Sequence, residues 1–239
     1  MENFKVERNI VHYILIAILS VSFCFKLNHV FAQKVMRSNH YFSVNIEENK
    51  SFILGEEVDV GDYYDLMLMI KTKYGKDSEQ YRFLIPDTVK YRMWYGFSFP
   101  FPMSEIKGRG DRRQRYLRQL RKLPMVAISY EQAVAYCQWQ DSIINRFSKS
   151  YRQYSLPTKA DYEMSLKKAK ITARKSLSTL QVKHTRKRIF GLTDNIAEYT
   201  QDGMIVLGDE NTALKFVDVK DVGNVPIGFR YKYKVVIKK

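Results

Sequence analysis

The chain has 239 residues, 45% hydrophobic and 27% charged, an ordinary globular composition that excludes a collagenous, linker-rich or disordered polymer. Its 40 Lys and Arg outweigh 25 Asp and Glu to give +15, a field that draws in polyanions without naming which one. No zinc finger, RNA-recognition signature or helix-turn-helix pattern accompanies that charge, so nucleic acid is not the expected partner.

The N-terminus carries the first readable segment. Ile10 to Phe25 is an almost unbroken apolar run, with Lys5 and Arg8 before it and Val30-Phe31-Ala32 after it. This is the order of a secretory signal, with cleavage expected after Ala32. The run falls short of the about 20 residues a spanning helix needs. An uncleaved anchor touching the membrane and a buried core helix are the alternatives. Bulky Phe23 argues against lipidation at Cys24. The expected division is therefore 1–32 as signal or anchor and 33–239 as one domain, long enough to bury its own core. Cleavage would leave Cys137 as the single thiol, with no internal disulfide.

Residues 33–58 read as an entry segment with a strand. VGDYYDLMLMIKTKY, from Val60 to Tyr74, reads as a helix with Asp62 as its cap and Tyr63, Met67 and Ile70 on one face. Residues 81–106 are aromatic and Pro-punctuated, which predicts an irregular ordered loop. Tyr91, Trp94, Tyr95, Phe97, Phe99 and Phe101 would there line a core or, in the alternative, form a ligand-binding shelf. Residues 107–122 hold Lys107, Arg109, Arg112, Arg113, Arg115, Arg118, Arg121 and Lys122 against the single acid Asp111. Tyr116, Leu120 and Leu123 would form an apolar stripe behind them. Such a run is a solvated face or a site for an anionic partner.

Ser129 to Phe147 is the clearest helix. Ser129 and Gln132 form a capping box, and Ala133, Tyr136, Cys137, Ile143 and Ile144 follow at helical spacing. Cys137 on that stripe reads as a small core residue rather than a nucleophile. A second capping signal, Thr158 with Asp161, opens a helix to about Lys170 with Tyr162, Leu166 and Ala169 inward. Residues 164–193 contain no acid and include Lys183, Arg186, Lys187 and Arg188, which reads as a basic loop. The closing GFRYKYKVVIKK alternates from Phe229 to Lys234, the pattern of a strand with one wet face whose basic residues discourage edge pairing.

The residues for several chemistries are missing. His12, His29, His40 and His184 do not cluster with carboxylates at metal-ligand spacing. No phosphate loop, dinucleotide fingerprint or Gly-x-Ser-x-Gly elbow occurs. One thiol without a partner histidine is poor ground for nucleophilic catalysis.

Four motifs in order look familiar. Residues 124–139, PMVAISYEQAVAYCQW, resemble PVVGVSWEDAVAYCRW, the strand-then-helix signature of formylglycine-generating enzymes. Residues 156–163, LPTKADYE, resemble LPTEAEWE. GLTD at 191–194 and NIAEY at 195–199 resemble GLYDM and GNVWEW, and Gly228-Phe-Arg230 resembles the family's closing GFR. The resemblance implies an α+β fold of the complex C-type-lectin-like kind. Upstream, Pro86-Asp-Thr88, Pro102-Met103 and the Pro124 segment are similar in spacing to gliding-motility lipoproteins of type IX secretion systems, as is Asn145 ahead of YSLPT. In that branch the domain serves envelope assembly.

The resemblance also implies chemistry that this chain lacks. The enzymes hold copper through a pair of C-terminal cysteines, and nothing here follows Cys137. Their RGGSW segment survives only as Val206-Leu-Gly-Asp209. Their calcium loop is shortened, with Asp194 beside Asn195. Calcium wants six to eight oxygens, so Asp194 and Glu198 are calcium candidates by resemblance only, and Glu198 reads equally as a structural hydrogen-bond acceptor. The expectation is a non-catalytic exported envelope component of the periplasm or outer membrane, without a resident cofactor. Its partner would be an envelope protein or an anionic envelope polymer. The candidate contacts are Arg109, Arg112, Arg113, Arg115, Arg118 and Arg121, with Lys183, Arg186, Lys187 and Arg188. A polyanion- or glycan-binding lectin-like module is the alternative, and an active oxidase a third.

Overall fold

The structure, a computed structural model, describes residues 42–45, 51–100, 110–147, 151–168, 196–208 and 214–236. The strands are β1 (Phe42–Asn45), β2 (Ser51–Glu57), β3 (Tyr151–Ser155), β4 (Ala197–Tyr199), β5 (Met204–Gly208), β6 (Leu214–Asp218), β7 (Ile227–Gly228) and β8 (Arg230–Val236). They form two four-stranded sheets, in the orders β1-β2-β8-β3 and β6-β5-β4-β7. The first is antiparallel throughout; in the second, β4 pairs with β7 in parallel. The helices are α1 (Val60–Tyr74), α2 (Glu79–Phe83), α3 (Thr88–Tyr95), α4 (Gly110–Leu120), α5 (Tyr130–Phe147) and α6 (Lys159–Lys168). Helices apart from mostly antiparallel sheets make this an α+β fold.

Local chemistry sets most helix starts. Asp59, not Asp62, caps α1: its Oδ1 accepts the Asp62 N–H at 2.7 Å. Capping falls on the last extended residue before the helix, so an acid inside the first turn is the wrong one to choose. The Ser129–Gln132 box on α5 forms as read, with Ser129 N–H donating to Gln132 Oε1 at 2.7 Å and Gln132 N–H to Ser129 Oγ at 3.2 Å. Thr158 and Asp161 do the same for α6.

Residues 81–106 differ from the expected loop. They hold the end of α2 and all of α3, which Asp87 caps through the Val89 and Lys90 N–H groups and which ends at Gly96 in the left-handed conformation. Aromatic density hid the helix because Tyr91, which it buries, packs against Tyr95 and also against Phe97 and Phe99, and those last two lie beyond its C-terminus. Tyr91 and Phe99 are core, Trp94, Tyr95 and Phe97 pack on its edge, and Phe101 lies outside the described residues. The entry segment likewise supplies two paired strands and not one. The strand expected at Pro124 is reduced to a single bridge with Asp59.

The largest difference concerns β8. It is an inner strand of its sheet, with Leu54 opposite Lys232 on one side and Tyr154 opposite Tyr233 on the other. Arg230 and Lys232 are both buried. The alternation is real, but Arg230 and Lys232 point into the protein while Lys234 is exposed, and an inner strand has no edge for them to guard. The guarded edge is β3. Asn145 of α5 accepts the Arg152 N–H and donates to the Arg152 carbonyl, both at 2.6 Å, and Asp141 accepts the Tyr154 N–H at 2.6 Å. These side chains stand where a further strand would pair.

Two backbone positions explain motif residues. A Cβ on Gly228 would lie 2.8 Å from the Met125 carbonyl oxygen, so GFR needs its glycine for close packing. Ala127 sits at φ 60°, where the resembling motif carries glycine, and its carbonyl accepts the Asp87 N–H at 2.8 Å. An L-residue there costs about 1–2 kcal/mol, partly offset by alanine's smaller unfolded-state entropy. We therefore expect Ala127→Gly to stabilise the domain by about 0.5–1 kcal/mol in urea unfolding; an unchanged or lower midpoint would show that no strain is stored there.

Candidate functional site

The motif residues converge on one buried ionic cluster. Arg230 is 1% exposed. Its Nε and Nη2 each donate to one oxygen of Glu198, both at 2.6 Å. The Tyr162 hydroxyl donates to the same carboxylate at 2.5 Å, and Glu57 Oε1 lies 3.7 Å from Arg230 Nη2. Beside this group Lys232 pairs with Asp161, whose Oδ2 also takes the Thr158 N–H and hydroxyl. Burial works against the Arg230 charge, but Glu198 outweighs it, and the net shift holds the proton more tightly. Burial first, and then Glu198, push the Tyr162 phenol well up, so it stays protonated and donates.

Two openings lie elsewhere. A cleft of about 540 Å³ runs between α3, the Ala127–Ser129 segment and the loop before β7, with Lys90, Trp94, Tyr199, Asn224, Val225 and Ile227 among its walls. A smaller apolar groove of about 320 Å³ lies between α1, α2 and α5, walled by Leu66, Ile70, Leu84 and Trp139. Phe83 borders both.

A family model for the sulfatase-modifying factor enzyme 1-like domain matches residues 40–203. The chain belongs to that family. Curated proteins and solved structures gave no significant match. The matched range takes in the LPT and NIAEY motifs, and Arg230 lies beyond its end, so the family's own segments supply the carboxylate side of the ionic cluster.

The copper chemistry that the resemblance implies needs two thiols together. The chain's two cysteines are Cys24 and Cys137. Cys137 is free and 3% exposed on α5, and burial, with Asp141 nearby, pushes its thiol up. These residues do not fit a copper pair. The calcium candidates fare differently. Glu198 has a guanidinium against both oxygens, and that positive charge repels a second cation from the same carboxylate. Asp194 lies outside the described residues. Among those residues no group of three or more His, Cys, Asp and Glu is arranged to hold a metal.

The basic candidates scatter. Arg115 and Arg118 are exposed on α4. Arg121 instead donates to Asp65 at 2.7 Å and to the Gly61 carbonyl at 3.1 Å, and Lys122 pairs with Asp59 at 2.9 Å. Both therefore clamp α4 to the start of α1. On the stripe behind them Leu120 is buried, whereas Tyr116 is exposed. Arg112 and Arg113 fall on α4. Arg109, Lys183, Arg186, Lys187 and Arg188 lie outside the described residues, as does Ala169.

Sequence reading missed the Arg230–Glu198 pair. The available signal was one acid in NIAEY and one base in GFR, each flanked directly by apolar or aromatic residues. Removing one member of a buried pair costs about 3–5 kcal/mol, because the other is left uncompensated. Glu198→Gln should cost that much in urea unfolding, and adding Arg230→Met should recover part of it. A loss below about 1 kcal/mol, the range of exposed pairs, would show the cluster to be solvated.

Proposed function

We propose that this chain is a catalytically inactive member of its family, an exported binding or assembly component of a cell envelope, related to type IX secretion and gliding-motility proteins. The observation that carries the reading is the thiol inventory. The family's oxidation of a substrate cysteine, as the resemblance implies it, uses a cysteine pair at the C-terminal end, and this chain has only a buried Cys137 in its domain. What the motifs retain supports the same reading. Thr158 bonds to Asp161, and Glu198 to Arg230 and Tyr162, which is work for a scaffold. The Pro86-Asp-Thr88 match to the envelope-assembly branch has a structural use too, since Asp87 caps α3.

The scaffold would be the family's lectin-like one, with no resident cofactor. Export would rest on the 1–32 segment, which would give membrane contact if it stayed uncleaved. The partner would be an acidic envelope protein, held by protein–protein contact. A second reading is favoured by Arg115 and Arg118, exposed on a helix whose Leu120 is buried: the protein would bind an anionic envelope polymer along α4.

Four results are expected. Purified protein with copper and a cysteine-containing sulfatase peptide should form no formylglycine by mass spectrometry; copper-dependent turnover above the protein-free control would revive the oxidase. In the Cys24→Ser chain, Cys137 should react with a thiol reagent only as fast as the domain opens, and prompt labelling would sink the buried-thiol argument. Pull-down from native envelope fractions should recover a defined partner, and the mature N-terminus read from the same sample should begin at Gln33. A monodisperse free monomer with no envelope association would overturn the assembly reading. Arg115→Glu with Arg118→Glu should weaken salt-dependent heparin binding if α4 is the contact.

A further inference from the structure

A row of three guanidiniums follows α4. Arg115, Arg118 and Arg121 stand three residues apart, and the bond from the Arg121 N–H to the Leu117 carbonyl, at 3.0 Å, carries the last turn through the third. Residues at that spacing are neighbours on a helix surface. Arg115 and Arg118 are exposed. Arg121 is occupied: its Nη2 meets Asp65 Oδ1 of α1 at 2.7 Å, with the two side chains 32% and 21% exposed. The row therefore ends in a guanidinium that reaches solvent with its charge already matched.

The placement of α4 does not rest on that ion pair. The first N–H groups of α1 have no partner inside their own helix. The chain leaving α4 serves two of them: Val60 N–H donates to the Leu123 carbonyl at 2.8 Å and Gly61 N–H to the Arg121 carbonyl at 2.9 Å. A Cβ on Gly61 would come 3.0 Å from that Arg121 oxygen, so backbone lies on backbone. Arg121 Nη2 also donates to the Gly61 carbonyl at 3.1 Å, a bond that needs nothing from residue 65. An ion pair this exposed adds little to stability. Its larger effect is on what Arg121 can meet, because a guanidinium beside its own carboxylate offers an approaching anion little net charge. Lys122 is a different case, since its partner Asp59 also caps α1.

We propose that Asp65 is an internal competitor for the basic row, holding Arg121 back from an anionic polymer that lies along α4 on Arg115 and Arg118. The proposal rests on the second reading above, the polymer contact through α4, and adds its regulation: the chain limits its own affinity, which keeps the contact reversible.

The test is a heparin titration of the full chain by calorimetry. Asp65→Asn should bind about fivefold tighter than the parent, the contribution of one basic residue near an anionic surface. Its affinity should also fall more steeply with salt, by about one contact. Glu79→Gln makes the same change of charge at an exposed acid of α2, outside the α1–α4 contact, and should bind as the parent does. Arg121→Gln should matter little in the parent and should remove the whole gain in Asp65→Asn, the non-additivity of two groups that share one contact. No gain from Asp65→Asn, a gain matched by Glu79→Gln, or an equal loss from Arg121→Gln in both backgrounds would each overturn the proposal. A second readout needs no variant. Heparin should shift the Nε–H resonances of Arg115 and Arg118 in the parent chain and leave that of Arg121 in place; a shift of all three together makes Arg121 an open contact and overturns the competition. The two readings fail differently. Binding that survives Arg115→Glu with Arg118→Glu removes α4 as the contact, and both fall. Binding lost in that variant but unchanged by Asp65→Asn removes only the competitor.

Discussion

One guanidinium joins the parts of this protein that sequence keeps apart. Arg230 stands on β8, an inner strand of the first sheet, and its fork meets Glu198 on β4 of the second. Tyr162 of α6 closes on the same carboxylate, and Glu57 of β2 lies 3.7 Å from the Nη2 of Arg230 that also meets Glu198. Desolvating such a charge costs several kcal/mol, which only complete pairing offsets. The two sheets and α6 must therefore meet in one arrangement for the cluster to be tolerable at all. Apolar packing by Phe52, Leu54, Tyr162 and Val206 around it supplies favourable burial but would accept small slips. The bidentate geometry accepts fewer.

That dependence explains which parts of the fold were legible in the sequence. The caps of α5 and α6 are local: a hydroxyl and an acid or amide three residues apart bond to each other whatever the rest of the chain does. The bounds of α1 were read correctly for the same reason, although its cap was assigned to Asp62 instead of Asp59. Strand β8 was legible as a strand and misread as to surroundings. Its alternation of aromatic and basic residues is that of a half-exposed strand, and nothing local reveals that α6 and the second sheet cover the basic face. Helix α3 was missed because its eight residues are too few for a clear period. Its stability comes from Asp87 and from rings in the segment that follows.

The same distinction sorts the candidate site residues. Charge runs were counted as surface, yet Arg121 and Lys122 at the end of the basic run are turned inward to Asp65 and Asp59. The structure thus shortens the basic face at its C-terminal end, where α4 is fastened to α1, and leaves Arg115 and Arg118 outward. A count of arginines cannot tell a clamp from a contact, because both are basic residues beside a short apolar stripe. Glu198 shows the converse. Motif order marked it as special, but only geometry shows the positive charge that holds it.

Retained and lost residues then separate by what they do. Those that bond within the fold, Thr158, Asp161, Glu198, Gly228 and Arg230, stand in the resembling motifs. The cysteine pair, which would act on a substrate, has no counterpart after Cys137. A domain can lose its reacting groups without losing stability when those groups are not part of the buried cluster, and here Cys137 takes no part in it. The outer stripe of α3 is costly to leave bare in water, since exposed Val89 and Met93 contribute nothing to the core and invite non-specific association.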